Sequence, residues 1–211
     1  MIILVFDTET TGLPEGRNPS PEDTTKFPHI VQLSYLLYDT DLDKTLACED
    51  HIIKLKASVS LPPESVRIHG INRNRMMRKG VTIKHALDDF IKAMRKADTI
   101  VGHNLRFDKN MLLVEAKRNN RTIAFETKRE YCTMLNSVDI CQIERTNREG
   151  KKYYKFPNLS ELYMCLFEEM PRGVHDSMAD VLFTLRCFLV LTQQHDNECK
   201  RLKTLYRLYD V

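Results

Sequence analysis

The sequence predicts an α/β fold, a mixed five-stranded sheet flanked by helices. A β-rich apolar run opens the chain, and two further strand-like segments on either side of a short polar turn come after it. Segments with helical periodicity then alternate with short apolar strands. An early antiparallel hairpin followed by α-β-α units is typical of a sheet that contains both strand directions.

The first half of the chain supplies three of the five predicted strands. Each is rich in β-branched or aromatic residues, and turn-forming residues separate them. These strands are expected at residues 1–10, 29–39 and 50–56. Alternation of apolar and polar side chains supports the assignment of the second segment as a strand. A loop with short helices is expected at residues 57–80.

The second half alternates helices with short strands. Apolar side chains recur every three or four residues in the helical segments, as they do in amphipathic helices. Helices are expected at 81–97, 105–120, 158–167 and 176–194, and strands at 98–104 and from about 131. Asn158 and Glu161 have the spacing of a capping box. Residues 141–157 are polar and predict a hairpin tip or a loose loop.

Length and charge limit the organisation of the molecule. A chain of 211 residues favours one large domain, predicted at 1–195, followed by a basic helical tail at 196–211. The formal net charge is +3. If four acidic residues were neutralised by bound cations, the rest of the molecule would carry about +7, which favours a polyanionic partner.

Cysteine usage and hydropathy indicate an intracellular protein, either cytoplasmic or associated with the nucleoid or nucleus. The six cysteines show no Cys-x-x-Cys spacing, and several fall in apolar helical segments, so buried reduced thiols are expected. The chain opens with no charged-then-apolar leader and has no apolar run of membrane-spanning length. We therefore expect neither a signal peptide nor a membrane partner.

Two carboxylates come directly after the first apolar run. Asp7 and Glu9 stand two residues apart, so in an extended strand they project from the same face. Like charges this close repel each other, and partial burial strengthens the repulsion. A protein that keeps such a pair is expected to neutralise it.

Three more candidate residues occur at later element boundaries. Asp108 lies in the first turn of a helix that comes after a strand, and His175 and Asp180 stand five residues apart at the start of the long helix. Taken singly, each is most simply explained as a helix cap, a surface charge or a core histidine. Their common order and placement at element boundaries make the combination far more specific.

The stretches FDTETTG, GHNLRFD and HDSMAD, in this order, resemble the three exonuclease motifs of the DEDDh family. Members of this family are proofreading-type 3′–5′ exonucleases with a ribonuclease H-like fold. The resemblance extends from Asp7 to Asp180. The segment HGI at 69–71, after LPPESV, is similar to the region between the first two motifs of the bacterial epsilon proofreading subunit. Ribonuclease T belongs to the same group.

The resemblance explains why the acidic residues are tolerated. It implies that Asp7, Glu9, Asp108 and Asp180 converge, and a like-charge contact at 4 Å costs about 4 kcal/mol at an effective dielectric near 20. Two divalent cations would cancel the four negative charges. Ligands that are all oxygen atoms suit Mg²⁺ or Mn²⁺ better than zinc.

The resemblance also implies a role for each residue. Asp7 would bridge two metal ions, Glu9 and Asp180 would complete the ion on the nucleophile side, and Asp108 would hold the second, partly through water. His175 would be the general base that deprotonates the attacking water. Because an anionic cluster raises the pKa of a nearby histidine, an alkaline optimum is expected. The product would be a nucleoside 5′-monophosphate.

Substrate contacts are implied at a second set of positions. In the family, the backbone after the first acid pair receives the terminal 3′-hydroxyl, which here means Thr10 and Thr11. Leu13 matches an apolar residue that wedges near the last base, and Asn104 and Phe107 match residues that line the terminal-nucleotide pocket. Core packing is an equal alternative for Phe107. His69 is a further candidate for contact with substrate.

Two positions depart from the family pattern. Ser177 stands where an alanine is usual, and its small size suggests a harmless change. Arg106 is bulkier and more basic than the usual occupant, and it could contact a phosphate or face solvent. Basic clusters at 67–79, 117–121 and 151–156, and in the tail, are candidates for nucleic-acid contact or for ordinary solvated surface. Within 151–156, lysines alternate with aromatic residues.

The sequence leaves several functional alternatives open. The preferred function is removal of nucleotides from single-stranded DNA 3′ ends. The first alternative is a 3′–5′ exoribonuclease similar to ribonuclease T or oligoribonuclease, which work as dimers. The second is a non-catalytic nucleic-acid-binding module. The partners expected are single-stranded DNA or RNA ends, together with a polymerase in trans if the role is proofreading. The oligomeric state stays open.

Overall fold

The computed structural model describes residues 1–171, 176–192 and 200–209, with the side chains of 200–203 excepted. Five strands form one sheet: β1 Ile2–Thr10, β2 Ile30–Asp39, β3 Lys44–Ile52, β4 Thr99–Gly102 and β5 Arg129–Cys132. Their order in space is β3-β2-β1-β4-β5. β1, β2 and β3 are antiparallel neighbours, whereas β4 and β5 run parallel to β1. The predicted mixed five-stranded sheet is confirmed.

Eight helices surround or extend this sheet in the described part of the chain. They are α1 Pro63–His69, α2 Arg73–Lys79, α3 Ile83–Lys96, α4 Leu105–Arg118, α5 Val138–Cys141, α6 Leu159–Phe167, α7 Ser177–Leu191 and α8 Lys200–Leu208. Among the described residues, none of the helices combines the length and the apolar character needed to cross a bilayer. α8 lies within the predicted tail, whose boundary stays a prediction.

The two faces of β1 bury their side chains against different helices. Leu4 and Phe6 pack in the core cluster that contains residues of α3 and α4. Ile3 and Val5 pack in the cluster that contains residues of α7. Because strand side chains alternate, the odd-numbered residues of β1 face α7 and the even-numbered ones face α4. This alternation places the polar residues at the end of the strand.

The polar residues Gln32 and Ser34 of β2 are buried. All residues from Ile30 to Tyr38 are buried, including Gln32 and Ser34. Both donate a side-chain hydrogen bond to Asp50 Oδ1 on β3, at 2.8 Å and 2.9 Å. A buried polar group that finds a partner costs little, so the alternation in the sequence did not imply solvent.

The third strand was predicted too late in the chain. It spans Lys44–Ile52 and pairs with β2 along almost its whole length. Its first half is partly exposed because β3 is an edge strand, and it mixes two polar residues with Leu46, Ala47 and Cys48, so the apolar pattern marked only its end. The predicted buried cysteines also need correction, since Cys165 is exposed.

A separate two-stranded ribbon lies between α5 and α6. Its strands are β6 Glu144–Thr146 and β7 Lys152–Tyr154, which pair antiparallel. Within the predicted polar segment, residues 144–154 therefore form a hairpin. The next helix, α6, begins with the predicted capping box, in which Asn158 and Glu161 bond to each other's backbone amides.

β1 ends in an irregularity of its pairing with β2. The pairing is regular from Ile2 to Glu9, and then Thr10 pairs with Ile30, which skips one residue of β2. A bulge of this kind bends the strand and redirects the chain. Residues 12–28 leave the sheet here as an irregular loop.

Candidate active site

Three carboxylates meet where β1 ends and α7 begins. Asp7 and Glu9 project toward α7 because they continue the odd-numbered face of β1, and Asp180 lies in the first turn of α7. One oxygen of each carboxylate lies within 4.8 Å of one oxygen of each of the other two. We call Asp7, Glu9 and Asp180 the acidic triad. Each member is only partly buried, so the group is open to a ligand.

Asp108 adjoins the acidic triad but comes from the opposite side of β1. Its carboxylate is 2% exposed and accepts hydrogen bonds from the Thr8 amide at 3.0 Å and the Thr8 hydroxyl at 2.7 Å. Thr8 points toward α4 because it is an even-numbered residue of β1. The predicted convergence of four carboxylates is therefore realised as three close acids and a fourth held by Thr8.

Burial and mutual repulsion raise the pKa values of these acids. The pKa of Glu9 rises to about 9, first through burial and then through the charges of Asp7, Asp180, Asp108 and Asp176. Burial is also the main cause that raises the pKa of Asp7 to about 7, partly offset by the Ser177 hydroxyl. The pKa of Asp108 lies well above its usual range because of burial and the nearby Asp7 charge. Without a cation, the site thus favours protonated carboxyl groups.

Oxygen donors at this spacing fit divalent metal ions. Carboxylate oxygens are the preferred ligands of Mg²⁺ and Mn²⁺. A bound cation would remove the repulsion that raises the pKa values. The acidic triad, with Asp108 beside it, therefore has the composition of a divalent metal centre.

A serine fixes the start of α7 against β1. The Ser177 hydroxyl is fully buried and donates a hydrogen bond of 2.7 Å to the backbone carbonyl of Asp7. The sequence suggested that serine in place of alanine was harmless. Instead, its hydroxyl joins the strand that carries Asp7 and Glu9 to the helix that carries Asp180. Because the contact spans 170 residues of chain, local spacing gives no sign of it.

A fifth acid, Asp176, was missed by sequence reasoning. It caps α7 by accepting from the Met178 amide at 3.1 Å. Its carboxylate lies 3.5 Å from the Gln32 side-chain nitrogen and 3.7 Å from an Arg75 nitrogen. Gln32 also accepts from the Ser177 amide at 3.4 Å. These contacts hold the first turn of α7 against β2 and α2.

His175 lies outside the described residues. Its assignment as the general base stays a prediction from the sequence. The structure describes the chain from the next residue, Asp176, onward, so the predicted base adjoins the helix start that the Gln32 and Ser177 contacts fix.

A pocket of about 290 Å³ brings together three of the predicted substrate residues. Leu13, Asn104 and Phe107 all line it, together with Arg106 and residues of the loop 14–27. Leu13 is 80% exposed, which is unusual for an apolar side chain and leaves it available for contact. We call this cavity the Leu13 pocket. Phe107 also packs against the core, so both of its proposed roles have a structural basis.

Asn104 enters the pocket from an uncommon backbone conformation. It is the residue before α4, and its φ of 61° and ψ of 41° are left-handed. Asparagine tolerates this region better than most residues. Its side chain makes no capping bond to α4, so it is not committed to the helix end.

The remaining predicted substrate residues are engaged within the fold. The Thr10 hydroxyl donates to the Gly12 carbonyl at 2.6 Å. The Thr11 amide donates to the His29 carbonyl at 2.9 Å, and the Thr11 hydroxyl accepts from the His29 amide at 3.0 Å. His69 is buried, and its Nδ1 accepts from the Ile71 amide at 3.0 Å. None of these three lines the Leu13 pocket.

Several cations of the predicted basic clusters serve the fold. Arg73 donates to the backbone carbonyls of residues 55, 56 and 59. Arg118 donates to the carbonyls of residues 24, 27 and 28. Arg121 and Lys117 pair with Asp88 and Glu22. The cluster at 117–121 is thus largely structural.

Solved structures with a similar fold are complexes of E. coli exonuclease I. The complex with a dT13 oligonucleotide has a TM-score of 0.67 at 18% identity, covering 99% of this chain and 42% of that one. For the dA16 complex the values are 0.65, 17%, 94% and 42%. For the zinc-bound complex with single-stranded DNA they are 0.68, 19%, 94% and 42%. The chain thus spans less than half the length of these exonuclease I chains. At these identities the likeness shows a shared fold.

Sequence comparison identifies the family. No curated protein matches the chain. However, the sequence profile of a protein family described as Exonuclease matches residues 4–188, which is most of the chain and includes every member of the acidic triad. The chain therefore belongs to the exonuclease family, and within it to the DEDDh type of 3′–5′ exonucleases that its three motifs predict.

Proposed function

We propose that the chain is a metal-dependent 3′–5′ exonuclease that removes nucleoside 5′-monophosphates from nucleic-acid 3′ ends, with single-stranded DNA favoured. The acidic triad carries this proposal, because three carboxylate oxygens lie within 4.8 Å of one another in a member of the exonuclease family. A non-catalytic binding module would have no need of so costly a concentration of negative charge.

Asp7, Glu9 and Asp180 would hold the metal ions, and Asp108 would contribute from the Thr8 side of β1. We favour two ions of Mg²⁺ or Mn²⁺, since every donor is a carboxylate oxygen. When bound, such ions supply charge neutralisation, a more acidic water and stabilisation of the departing 3′ oxygen. The raised pKa of Glu9 indicates how strongly the site would favour a cation over an ionised, empty state.

Residues of the chain would position the water and the terminal nucleotide. His175 would take the proton from the attacking water, and the Ser177 and Gln32 contacts hold the adjoining helix start in register with Asp7. The Leu13 pocket would receive the terminal nucleotide, with the exposed Leu13 side chain against the base and Asn104 available for a polar contact. An end bound here would present its last phosphodiester toward the triad.

The preference for single-stranded DNA draws support from fold neighbours. The exonuclease I structures of similar fold contain dT13 and dA16 oligonucleotides. A single strand can place its last base in a pocket without paying for separation from a complementary strand. The proposal includes a preference for DNA over RNA.

A degradation assay tests the proposal. Single-stranded DNA and RNA of equal sequence, each labelled at the 5′ end, are incubated with Mg²⁺, with Mn²⁺ or with EDTA. We expect stepwise shortening from the 3′ end, release of 5′-monophosphates and no reaction in EDTA. Shortening from the 5′ end, or equal rates in EDTA, would contradict the proposed function.

A pair of aspartate variants locates the activity. Asp7→Ala should abolish hydrolysis while leaving the fold intact. Asp88→Ala is the matched control, because Asp88 is an acid of α3 that pairs with Arg121 at the surface. If Asp7→Ala and Asp88→Ala were equally active, the metal assignment would be wrong. Faster degradation of RNA, with a solution mass near twice 24.7 kDa, would favour the dimeric exoribonuclease alternative.

A further inference from the structure

The hairpin ribbon, residues 143–157, stands out from the domain with three large aromatic side chains in solvent. Tyr153, Tyr154 and Phe156 are 50%, 46% and 58% exposed. The same segment carries five cations and two acids, so its net charge of +3 equals that of the whole chain. Exposed rings among cations are the composition that binds single-stranded nucleic acid, since bases stack on the rings and phosphates meet the cations.

The two faces of the ribbon differ in charge. Arg145 lies directly opposite Tyr153, so their side chains share one face, and Lys151 joins them by strand alternation. On the other face Tyr154 lies opposite Glu144, whose carboxylate also pairs with Lys152 at 2.8 Å. The Arg145 face thus has cations beside a ring, and the nearby Glu161 carboxylate is paired with Lys155 at 2.5 Å. A phosphate near Tyr154 would instead meet the Glu144 carboxylate.

The base of the ribbon is fastened next to the Leu13 pocket. The Pro157 carbonyl accepts from His103 Nε2 at 3.1 Å, and His103 Nδ1 contacts the Thr133 hydroxyl at 2.9 Å. His103 directly precedes Asn104, which lines the pocket. Tyr153 is four residues from Pro157, so an extended chain places it within about 14 Å of that anchor. A strand that leaves the pocket can therefore reach the ribbon.

We propose that the Arg145, Lys151 and Tyr153 face of the ribbon binds single-stranded nucleic acid on the 5′ side of the nucleotide held in the Leu13 pocket. This proposal rests on the proposed function and extends its site. Tyr153 stacks on a base, and Arg145 and Lys151 contact phosphates. Stacking of this kind tolerates any base, which suits an enzyme that must move along a strand of arbitrary sequence.

Two tyrosine variants of the same ribbon test the proposal. Binding of a fluorescent single-stranded DNA of about twelve nucleotides is measured by anisotropy in EDTA, so that nothing is cleaved. Tyr153→Ala is expected to weaken binding by about 5- to 100-fold. Tyr154→Ala, similarly exposed on the opposite face, is expected to bind like the wild type. Equal affinities for both variants, or a larger loss in Tyr154→Ala, would overturn the assignment of the face.

Substrate length and salt give a second readout. With Mg²⁺ or Mn²⁺, Tyr153→Ala should hydrolyse a dinucleotide as fast as the wild type, because a dinucleotide ends before the ribbon, yet degrade the long strand less efficiently at low concentration. Arg145→Gln should reduce the slope of log affinity against log salt concentration by the amount expected for about one lost phosphate contact. A loss on the dinucleotide as large as that on the long strand would indicate damage to the pocket and contradict the proposal.

The outcomes of these experiments distinguish the ribbon contact from the exonuclease function. If the chain binds the long strand and Tyr153→Ala weakens binding, but the wild type hydrolyses nothing, the ribbon contact stands and the exonuclease function falls. If hydrolysis occurs and both tyrosine variants bind normally, the exonuclease function stands and the ribbon contact falls. Repeating the binding with RNA shows whether stacking operates without regard to the sugar. Thermal unfolding midpoints equal to that of the wild type confirm that each variant is folded.

Discussion

Two buried glutamates of this molecule meet opposite electrostatic surroundings. Glu115 on α4 is 3% exposed, and one of its oxygens lies 2.9 Å from both Arg118 and His29. For Glu9, the charged neighbours in the described part of the chain that raise its pKa are acids, Asp7, Asp180, Asp108 and Asp176. The fold supplies its own counter-charge to the first glutamate and surrounds the second with like charges. The ion pairs of Glu115 serve the structure, whereas under the proposed function a cation from solution would offset the charge of the acidic triad.

Glu115 is connected to the Leu13 pocket through Arg118. Arg118, its partner, donates to the carbonyls of residues 24, 27 and 28. Phe27 belongs to the wall of the Leu13 pocket. The neutralised glutamate thus supports the pocket, and under the proposed function the acidic triad would act on the end that the pocket holds.

The largest expected effect concerns catalysis by Glu9. Glu9→Gln should lower the rate of strand hydrolysis by a factor on the order of 10³, about 4 kcal/mol of transition-state stabilisation, because a metal ligand is lost. The metal-free variant should be at least as stable as the wild type, since a glutamine needs no proton to stay neutral in the folded state. Initial rates and unfolding in EDTA measure both quantities. A variant with a near-normal rate would break the contrast with Glu115.

The reverse outcome is expected for Glu115. Glu115→Gln should destabilise the protein by about 3 kcal/mol, because Arg118 keeps a charge without its buried partner. The kcat should stay near that of the wild type, since Glu115 does not belong to the acidic triad. Urea unfolding and steady-state kinetics provide the measurement. A loss of kcat as large as that of Glu9→Gln would show that the two glutamates do not differ in role.

The stability of the metal-free protein should depend on pH through Glu9. Because the pKa of Glu9 is raised from 4.5 to about 9, the folded state binds a proton that the unfolded state releases, and stability falls as pH rises between these values. Through Glu9 alone, metal-free protein should lose about 3 kcal/mol between pH 6 and pH 8, at about 1.4 kcal/mol for each pH unit per group.

A Glu9 variant and an added divalent cation are the matched controls for the dependence of stability on pH. Glu9→Gln should flatten the slope, and Mg²⁺ or Mn²⁺ should stabilise the wild type more at pH 8 than at pH 6, because ionised carboxylates bind the ion. The midpoint of thermal unfolding, measured with and without EDTA across this range, provides the test. Stability that rises with pH in EDTA would contradict the electrostatic description of the site.

The smallest effect is expected for the serine at the start of α7. Ser177→Ala should cost about 1 kcal/mol of stability through loss of the bond to the Asp7 carbonyl. Ser137→Ala is a suitable control, because that buried serine donates a similar bond of 2.7 Å to the Thr133 carbonyl. The two variants should lose similar stability, and only Ser177→Ala should also lower the rate of hydrolysis. Equal rates would make Ser177 purely structural.

Much of the fold could be predicted because its elements carry local signals. The apolar run of β1, the periodicity of α3 and the capping box at Asn158 each depend on a few neighbouring residues. The start of β3 could not be predicted, because an edge strand exposes polar side chains and loses the apolar pattern. The burial of Gln32 depended on Asp50, a partner on another strand.

The candidate site was predictable where motifs carry it and not where tertiary contacts do. Asp7, Glu9 and Asp180 were expected together and lie together. Asp108 was expected to hold the second ion partly through water, and it lies beside the triad, bonded to Thr8. That bond depends on the alternation of β1, which local spacing does not show. Ser177 and Asp176 gained their importance from β1 and β2, far away in the sequence.

The bulge after Glu9 separates two tasks along the chain. Upstream of it, β1 is locked between neighbouring strands, and the carboxylates inherit that rigidity. Downstream, residues 13–19 build one wall of the Leu13 pocket without sheet pairing. This stretch can lengthen, shorten or change composition while the acids stay in register. Under the proposed function, choice of end group would therefore be adjustable independently of bond cleavage, and exchanging those few residues would be the most direct route to an enzyme that prefers different termini.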